Sequence, residues 1–173
     1  MVVVVFVNNK DKEVSFLGKA LYSLLDRQYF VFTREESSYP TCPIEKTMSK
    51  LREITQHTSD DRLIVCFGCR VFPNNIKQIE KIATTSPGSN IVLLKRLRGS
   101  KTWTVGNDNT LSFDNERIAD CGIFILNREE LGKSSQENFN SYIRMLITQQ
   151  KLSPSFVDFW VFSNSQTQGR GRR

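Results

Sequence analysis

Two cysteines separated by two residues, Cys66 and Cys69, are the first pair in this sequence whose spacing suits a chemical task. Thiols at that spacing can form a redox dithiol or supply half of a zinc site. A zinc site needs two more ligands, and the remaining candidates, Cys42, Cys121 and His57, stand at irregular positions with no second pair. A plainer use fits as well: Cys66 packs inside an apolar strand as a small hydrophobe, and Cys69 sits in a turn. No metal and no cofactor is expected from these residues.

The basic residues form the more coherent set. Lys95, Arg96, Arg98 and Lys101 fall within seven residues and lie beside Trp103. Cationic groups next to an aromatic ring suit nucleic acid, with the charges on phosphates and the ring under an unstacked base. Gly99 and Ser100 leave the backbone free to approach a phosphate. Arg170, Arg172 and Arg173 stand among glycines at the end of the chain, in a stretch that resembles short Arg-Gly segments contacting RNA without sequence preference. The formal charge of +6 agrees with an acidic partner.

The acidic residues do not converge. Asp60, Asp61, Asp108, Asp114, Glu116 and Asp120 all fall in predicted turns, where carboxylates serve as local caps. His57, the one histidine, falls at a predicted helix end, where a cation favours the dipole. The sequence has no His-Glu-x-x-His, Gly-x-Ser-x-Gly, Gly-x-Gly-x-x-Gly or P-loop pattern. Metalloprotease, serine hydrolase, Rossmann dehydrogenase and P-loop nucleotidase chemistries are thereby disfavoured.

The elements that must position these residues can be read from apolar spacing. Val2 to Val7 and Leu63 to Phe67 are short continuous apolar runs, the mark of strands covered on both faces. Tyr29 to Thr33, Ile91 to Leu94 and Cys121 to Leu126 read the same way, and Phe156 to Phe162 reads as a last strand or a short helix. Between them, helical spacing predicts buried stripes at Val14, Leu17, Leu21, Leu24 and Leu25, then at Ile44, Met48, Leu51 and Ile54. Two more follow at Ile76, Ile79, Ile82 and Ala83, and at Phe139, Tyr142, Ile143, Leu146 and Ile147. Pro43 is placed to open the second helix, Asn74 and Asn75 to cap the third, and Ser134 with Glu137 to form a capping box for the last. Trp103 to Val105 and Leu111 to Phe113, flanking Gly106 to Asn109, predict a β-hairpin. Pro154 is expected to break the chain.

Strands alternating with helices predict an α/β protein. The expected fold is a single three-layer domain over residues 1–162, with a mostly parallel sheet and a β-hairpin insertion. A disordered tail over 163–173 follows, because its Asn, Ser, Gln, Thr, Gly and Arg residues cannot bury enough apolar surface to order it. At 39% apolar and 24% charged residues, the chain has the make-up of an ordinary globular protein. MVVVVFVNN is apolar for far fewer than the roughly 20 residues a membrane crossing needs and lacks the basic start of a signal peptide. An intracellular protein with reduced thiols and no membrane is the expectation.

Three family resemblances attach to particular residues. Cys66-Phe67-Gly68-Cys69-Arg70-Val71-Phe72-Pro73 resembles the Cys-x-x-Cys-Arg-x-Phe-x-Pro pattern of some thioredoxin-like redox proteins, with the proline one residue early. Trp160 resembles the late tryptophan of phosphopeptide-binding modules of the BRCT type, without their glycine pair. The order of elements, the Gly68 turn after a central strand, and Ala119 to Leu126 are similar to the middle of sugar-nucleotide pyrophosphorylases. That resemblance implies a Gly-rich loop after the first strand and a metal-binding Asp after a glycine like Gly68. Here the first reads VNNKDK and the second is Cys69, which implies at best a relative without catalysis.

The favoured expectation from sequence is a non-enzymatic binding module within a larger complex. It would contact RNA or DNA backbone through Lys95, Arg96, Arg98, Lys101, Trp103 and the tail arginines, with affinity that falls steeply with salt. The alternatives are a degenerate nucleotidyltransferase-like domain and a protein–protein adaptor with no nucleic acid role.

Overall fold

Six successive residues from Val2–Val7, all Val or Phe, form β1 and are buried along its whole length. The computed structural model describes residues 1–7, 21–22, 24–68, 73–86, 88–94, 104–105, 111–112 and 120–157. Next in the chain come β2 (Tyr29–Thr33), a 3-10 turn at Ile44–Lys46, α1 (Thr47–Gln56), β3 (Arg62–Phe67), α2 (Pro73–Thr85) and β4 (Asn90–Leu94). They are followed by β5 (Thr104–Val105), β6 (Leu111–Ser112), β7 (Asp120–Asn127), α3 (Arg128–Lys133), α4 (Phe139–Thr148) and β8 (Leu152–Phe156). No described helix is long and apolar enough to cross a membrane.

The main sheet has the order β2-β1-β3-β7-β4-β8. β1 is parallel to β2 and β3, and β4 is parallel to β8, whereas β7 runs antiparallel to both β3 and β4. Five of the six strands therefore point one way. β5 and β6 form the separate antiparallel hairpin read from the sequence. This is an α/β fold with a mostly parallel sheet, as the strand–helix alternation predicts.

Alternate residues of each strand feed opposite layers, as the two-residue period of a strand requires. Val2, Val4 and Phe6 of β1 join Leu63, Val65, Phe124 and Leu126 against Met48, Leu51 and Ile54 of α1 and Tyr142, Ile143 and Leu146 of α4. Val3, Val5 and Val7 join Ile64, Cys66, Ile123 and Ile125 against Leu24 and the α2 residues Ile76, Ile79 and Ala83. Two cores thus sandwich the sheet, one on each face.

Local departures from the sequence reading have local causes. Leu25 and Ile44 are 63% and 70% exposed and belong to no buried stripe. Ile44 lies in the 3-10 turn ahead of α1, whose tighter winding takes it off the helical face. Ser134 closes α3, and α4 is capped by Asn138, whose side chain accepts the N–H of Ser141 at 2.8 Å. α2 begins at Pro73, so Asn74 and Asn75 lie inside its first turn. Pro154 sits within β8 without breaking it; β8 is an edge strand, where a missing N–H can face outward.

Candidate functional site

The crossovers leaving β1 and β2 lie on opposite faces of the sheet. The segment before β2 packs through Leu21 and Leu24 on one face, and α1, between β2 and β3, packs on the other. With β2 and β3 on either side of β1, the winding direction reverses between β1 and β3. Open α/β sheets hold ligands in such a crevice, at the carboxyl ends of the strands.

At this crevice, β1 ends at Val7, whose carbonyl accepts the N–H of Arg34 at 3.0 Å. The Phe6 carbonyl accepts the N–H of Gly68 at 2.7 Å. Gly68 has φ +87°, a left-handed conformation that costs other residues about 1–2 kcal/mol, so glycine suits the first residue beyond β3. Beneath them the rings of Phe6 and Phe67 stack with centroids 5.5 Å apart, and Phe139 of α4 closes edge-on against Phe67 at 4.8 Å.

The Arg34 side chain crosses from the end of β2 over this aromatic floor. Its guanidinium carbon stands 4.6 Å from the Phe6 ring centre and 5.7 Å from that of Phe67. A half-buried contact of this kind contributes about 1 kcal/mol. One nitrogen, Nη1, donates to Thr47 Oγ1 at 2.7 Å and to the carbonyls of Cys42 at 3.1 Å and Pro43 at 3.5 Å. The loop carrying Arg34 is closed on itself. The Thr33 N–H donates to the Pro40 carbonyl, the Cys42 N–H donates to the Thr33 carbonyl, and Thr33 Oγ1 donates to the Glu35 carbonyl. Burial draws the Arg34 pKa below its ordinary value, partly opposed by the Glu45 carboxylate. Burial also raises the Cys42 thiol, which keeps it protonated and inert.

The residues singled out from the sequence are distributed differently. Cys66 is wholly buried in β3, against the α2 layer, where it packs as the small hydrophobe of the plainer reading. Cys69, Lys95, Arg96, Arg98, Lys101, Trp103, Arg170, Arg172 and Arg173 lie outside the described residues. His57 is exposed at the end of α1, its N–H on the Ile54 carbonyl. Among the described residues, no group of three His, Cys, Asp or Glu side chains is placed to share a metal. No binding motif in the sequence marks Arg34, Phe67 or Phe139. The one signal for Arg34 is its position, a lone arginine directly after an apolar strand.

Two open clefts, of about 710 and 610 Å³, lie at the other end of the sheet. The first is lined by Asn90, Asn127, Glu130 and Lys151, the second by Asp61, Arg62 and Arg128. Both open at amino ends of parallel strands; Asn90, Glu130 and Lys151 bond to one another in the first, and Arg62 and Arg128 donate to backbone carbonyls in the second.

No protein-family model and no curated protein sequence matches this chain. Solved structures do share its fold. A Bacillus anthracis protein, described as a glucose-1-phosphate thymidylyltransferase and crystallised with sucrose, superposes over 92% of this chain and 88% of its own, with 12% identity and a TM-score of 0.68. HddC from Yersinia pseudotuberculosis matches over 90% and 89%, at 9% identity and a TM-score of 0.61. The bifunctional IspDF from Campylobacter jejuni matches over 92% of this chain and 49% of its own, at 12% identity and a TM-score of 0.53. At these identities the likeness shows the fold alone, an α/β sheet shared with these proteins.

This likeness corrects the favoured sequence expectation. The neighbours are nucleotidyltransferase-like enzymes and not RNA-binding modules, so of the nucleic acid reading only its α/β scaffold is supported. The reading erred because cations beside an aromatic ring suit phosphate of any origin; their composition does not distinguish a polymer from a small phosphorylated ligand.

Proposed function

We propose that this protein is a degenerate nucleotidyltransferase-like domain that binds a phosphorylated nucleotide-type ligand at the β1/β3 crevice without transferring a nucleotidyl group. The observation that carries the reading is the winding reversal between β1 and β3, in a sheet shared with a structure described as a thymidylyltransferase. Gly68, in its left-handed turn at the end of β3, is placed like the glycine of the pyrophosphorylase resemblance.

The residues present do not fit the metal that this resemblance implies. The position after Gly68 carries a thiol where a hard divalent cation requires carboxylate oxygen. The stretch after β1 reads Asn8-Asn9-Lys10-Asp11-Lys12, without the glycines that let a backbone approach phosphates closely. Binding without metal-assisted transfer accords with both departures.

Calorimetric titration of the full chain with the four nucleoside triphosphates, with and without Mg2+, tests this directly. It is paired with a pyrophosphate-release assay containing glucose 1-phosphate. The expected result is saturable nucleotide binding with no pyrophosphate release. Turnover would overturn the degenerate reading, and absence of binding to every nucleotide would overturn the ligand.

A further inference from the structure

The geometry points to Arg34 as an anion receiver: its Nε and Nη2 form a side-on fork for one phosphate group of the ligand at the β1/β3 crevice. Four observations meet there. First, the guanidinium stands over Phe6 of β1 and Phe67 of β3, so it spans the two strands between which the winding reverses. Second, its acceptors among the described residues, Cys42 O, Pro43 O and Thr47 Oγ1, are all on Nη1. Nε and Nη2 have no hydrogen-bond partner among the described residues. Third, no carboxylate among the described residues forms an ion pair with Arg34, although Arg27 is paired to Glu80. Fourth, the buried polar atoms without a partner are Arg62 Nε and Tyr142 Oη among the described residues, so the two spare nitrogens of Arg34 are not sealed from solvent.

A guanidinium presents Nε–H and one Nη–H in parallel, matched to two oxygens of a phosphate. The aromatic floor and the Nη1 anchor fix the plane of that fork in advance. Little side-chain freedom is then lost on binding, which favours affinity. Lysine, a point charge, could replace the anchor or the fork, but not both.

This assignment rests on the proposed ligand site, yet it can fail separately. Nitrogen-15 spectra of the Arg34 side chain in the full chain are followed during titration with inorganic phosphate, pyrophosphate and the best-bound nucleoside triphosphate. Affinities are then measured for wild type, Arg34→Gln and Arg34→Lys. The expected result is a saturable shift of the Arg34 Nε–H, with at least about a tenfold loss of affinity in Arg34→Lys, the value of one charge-assisted hydrogen bond. Arg34→Lys keeps a cation over the Phe6 ring, so it decides the matter if Arg34→Gln does not fold. Unchanged nucleotide affinity in Arg34→Lys overturns the role of Arg34 and leaves the nucleotide reading standing. An Arg34-dependent response to phosphate or pyrophosphate without nucleotide binding does the reverse. A silent Arg34 signal at saturating phosphate, pyrophosphate and nucleotide overturns the inference outright.

Discussion

Arg62 opens β3 at the amino end of the sheet, and Arg34 follows β2 at the carboxyl end. Burial holds both guanidinium groups below their ordinary pKa, yet the protein uses them differently. Arg62 is 8% exposed, and its Nη1 donates to the carbonyls of Ala83 at 2.5 Å and Ser86 at 2.8 Å, its Nη2 to that of Ser89. Those are carbonyls at and beyond the end of α2, which no longer find helical partners. Arg34 spends one nitrogen on the protein and keeps an edge free. Arg62 commits both terminal nitrogens to backbone carbonyls and buries its Nε, whereas Arg34 is held through Nη1 alone and its other two nitrogens reach solvent.

The amino end is pinned by side chains throughout. Asn90, 1% exposed, donates to Glu130 Oε2 at 2.6 Å and to the Lys151 carbonyl at 3.3 Å, and its Oδ1 accepts the N–H of Asn127 at 2.8 Å. Lys151 Nζ completes the ring on Glu130 Oε1 at 2.6 Å. This one asparagine ties the start of β4 to the end of β7 and the start of β8. At the described carboxyl end the Arg34 network ties the loop to the start of α1 and leaves stacked rings and the left-handed turn at Gly68 beside it.

The largest effect that would sharpen this contrast is expected from Arg62→Met. Removing the clamp strands buried carbonyls and should lower stability by about 3 kcal/mol in urea unfolding, while ligand affinity at the opposite end stays as in wild type. A stability loss confined to a few tenths of a kcal/mol would break the contrast. Asn90→Ala should cost about 2 kcal/mol, because it opens three hydrogen bonds at a buried position. Amide exchange should then rise at Asn127 and Lys151 before it rises in β1.

A smaller effect is expected where Arg27 meets Glu80 on the α2 face. Their paired contacts, Nε to Oε1 at 2.5 Å and Nη2 to Oε2 at 2.8 Å, hold the Glu80 carboxyl below its ordinary value. A carboxyl whose pKa is lower when folded stabilises the protein above its unfolded value. That contribution is lost as pH falls through the folded value. Glu80→Gln should therefore cost about 1 kcal/mol at pH 7. The gap to wild type should begin to narrow near about pH 4, the ordinary carboxylate range, and close once pH falls below the lower folded value; a gap that persists in strong acid would refute the pairing. The smallest change belongs to Tyr142→Phe. The Tyr142 hydroxyl is buried without a partner among the described residues, and its pKa is raised by burial and by Glu130. Its removal should leave thermal unfolding unchanged or raise stability by up to about 1 kcal/mol.

Much of this architecture was legible from local pattern. Val2–Val7, Arg62–Phe67 and Asn90–Leu94 lie within a residue of the strands read from apolar runs, because a strand buried on both faces needs an unbroken apolar segment. Met48, Leu51 and Ile54 are buried together because helical period alone sets their common face. The site was barely legible. Dense charge and paired thiols stand out in a sequence, whereas Arg34 is a single arginine in an ordinary loop. Its partners Phe6, Phe67 and Thr47 come from three different elements.

The sequence by itself determined which segments become strands and helices and which residues turn inward, since these follow from spacing along a few turns of chain. It did not determine that β7 runs against its neighbours. Cys121 to Leu126 is apolar throughout and buried on both faces, and such a segment reads alike in either direction. Nor did it determine that β2 and β3 flank β1, which sets the point of reversal and carries Arg34 over the ring of Phe67. Those outcomes depend on pairing between segments far apart in the chain, and only tertiary structure decides which distant backbones share hydrogen bonds.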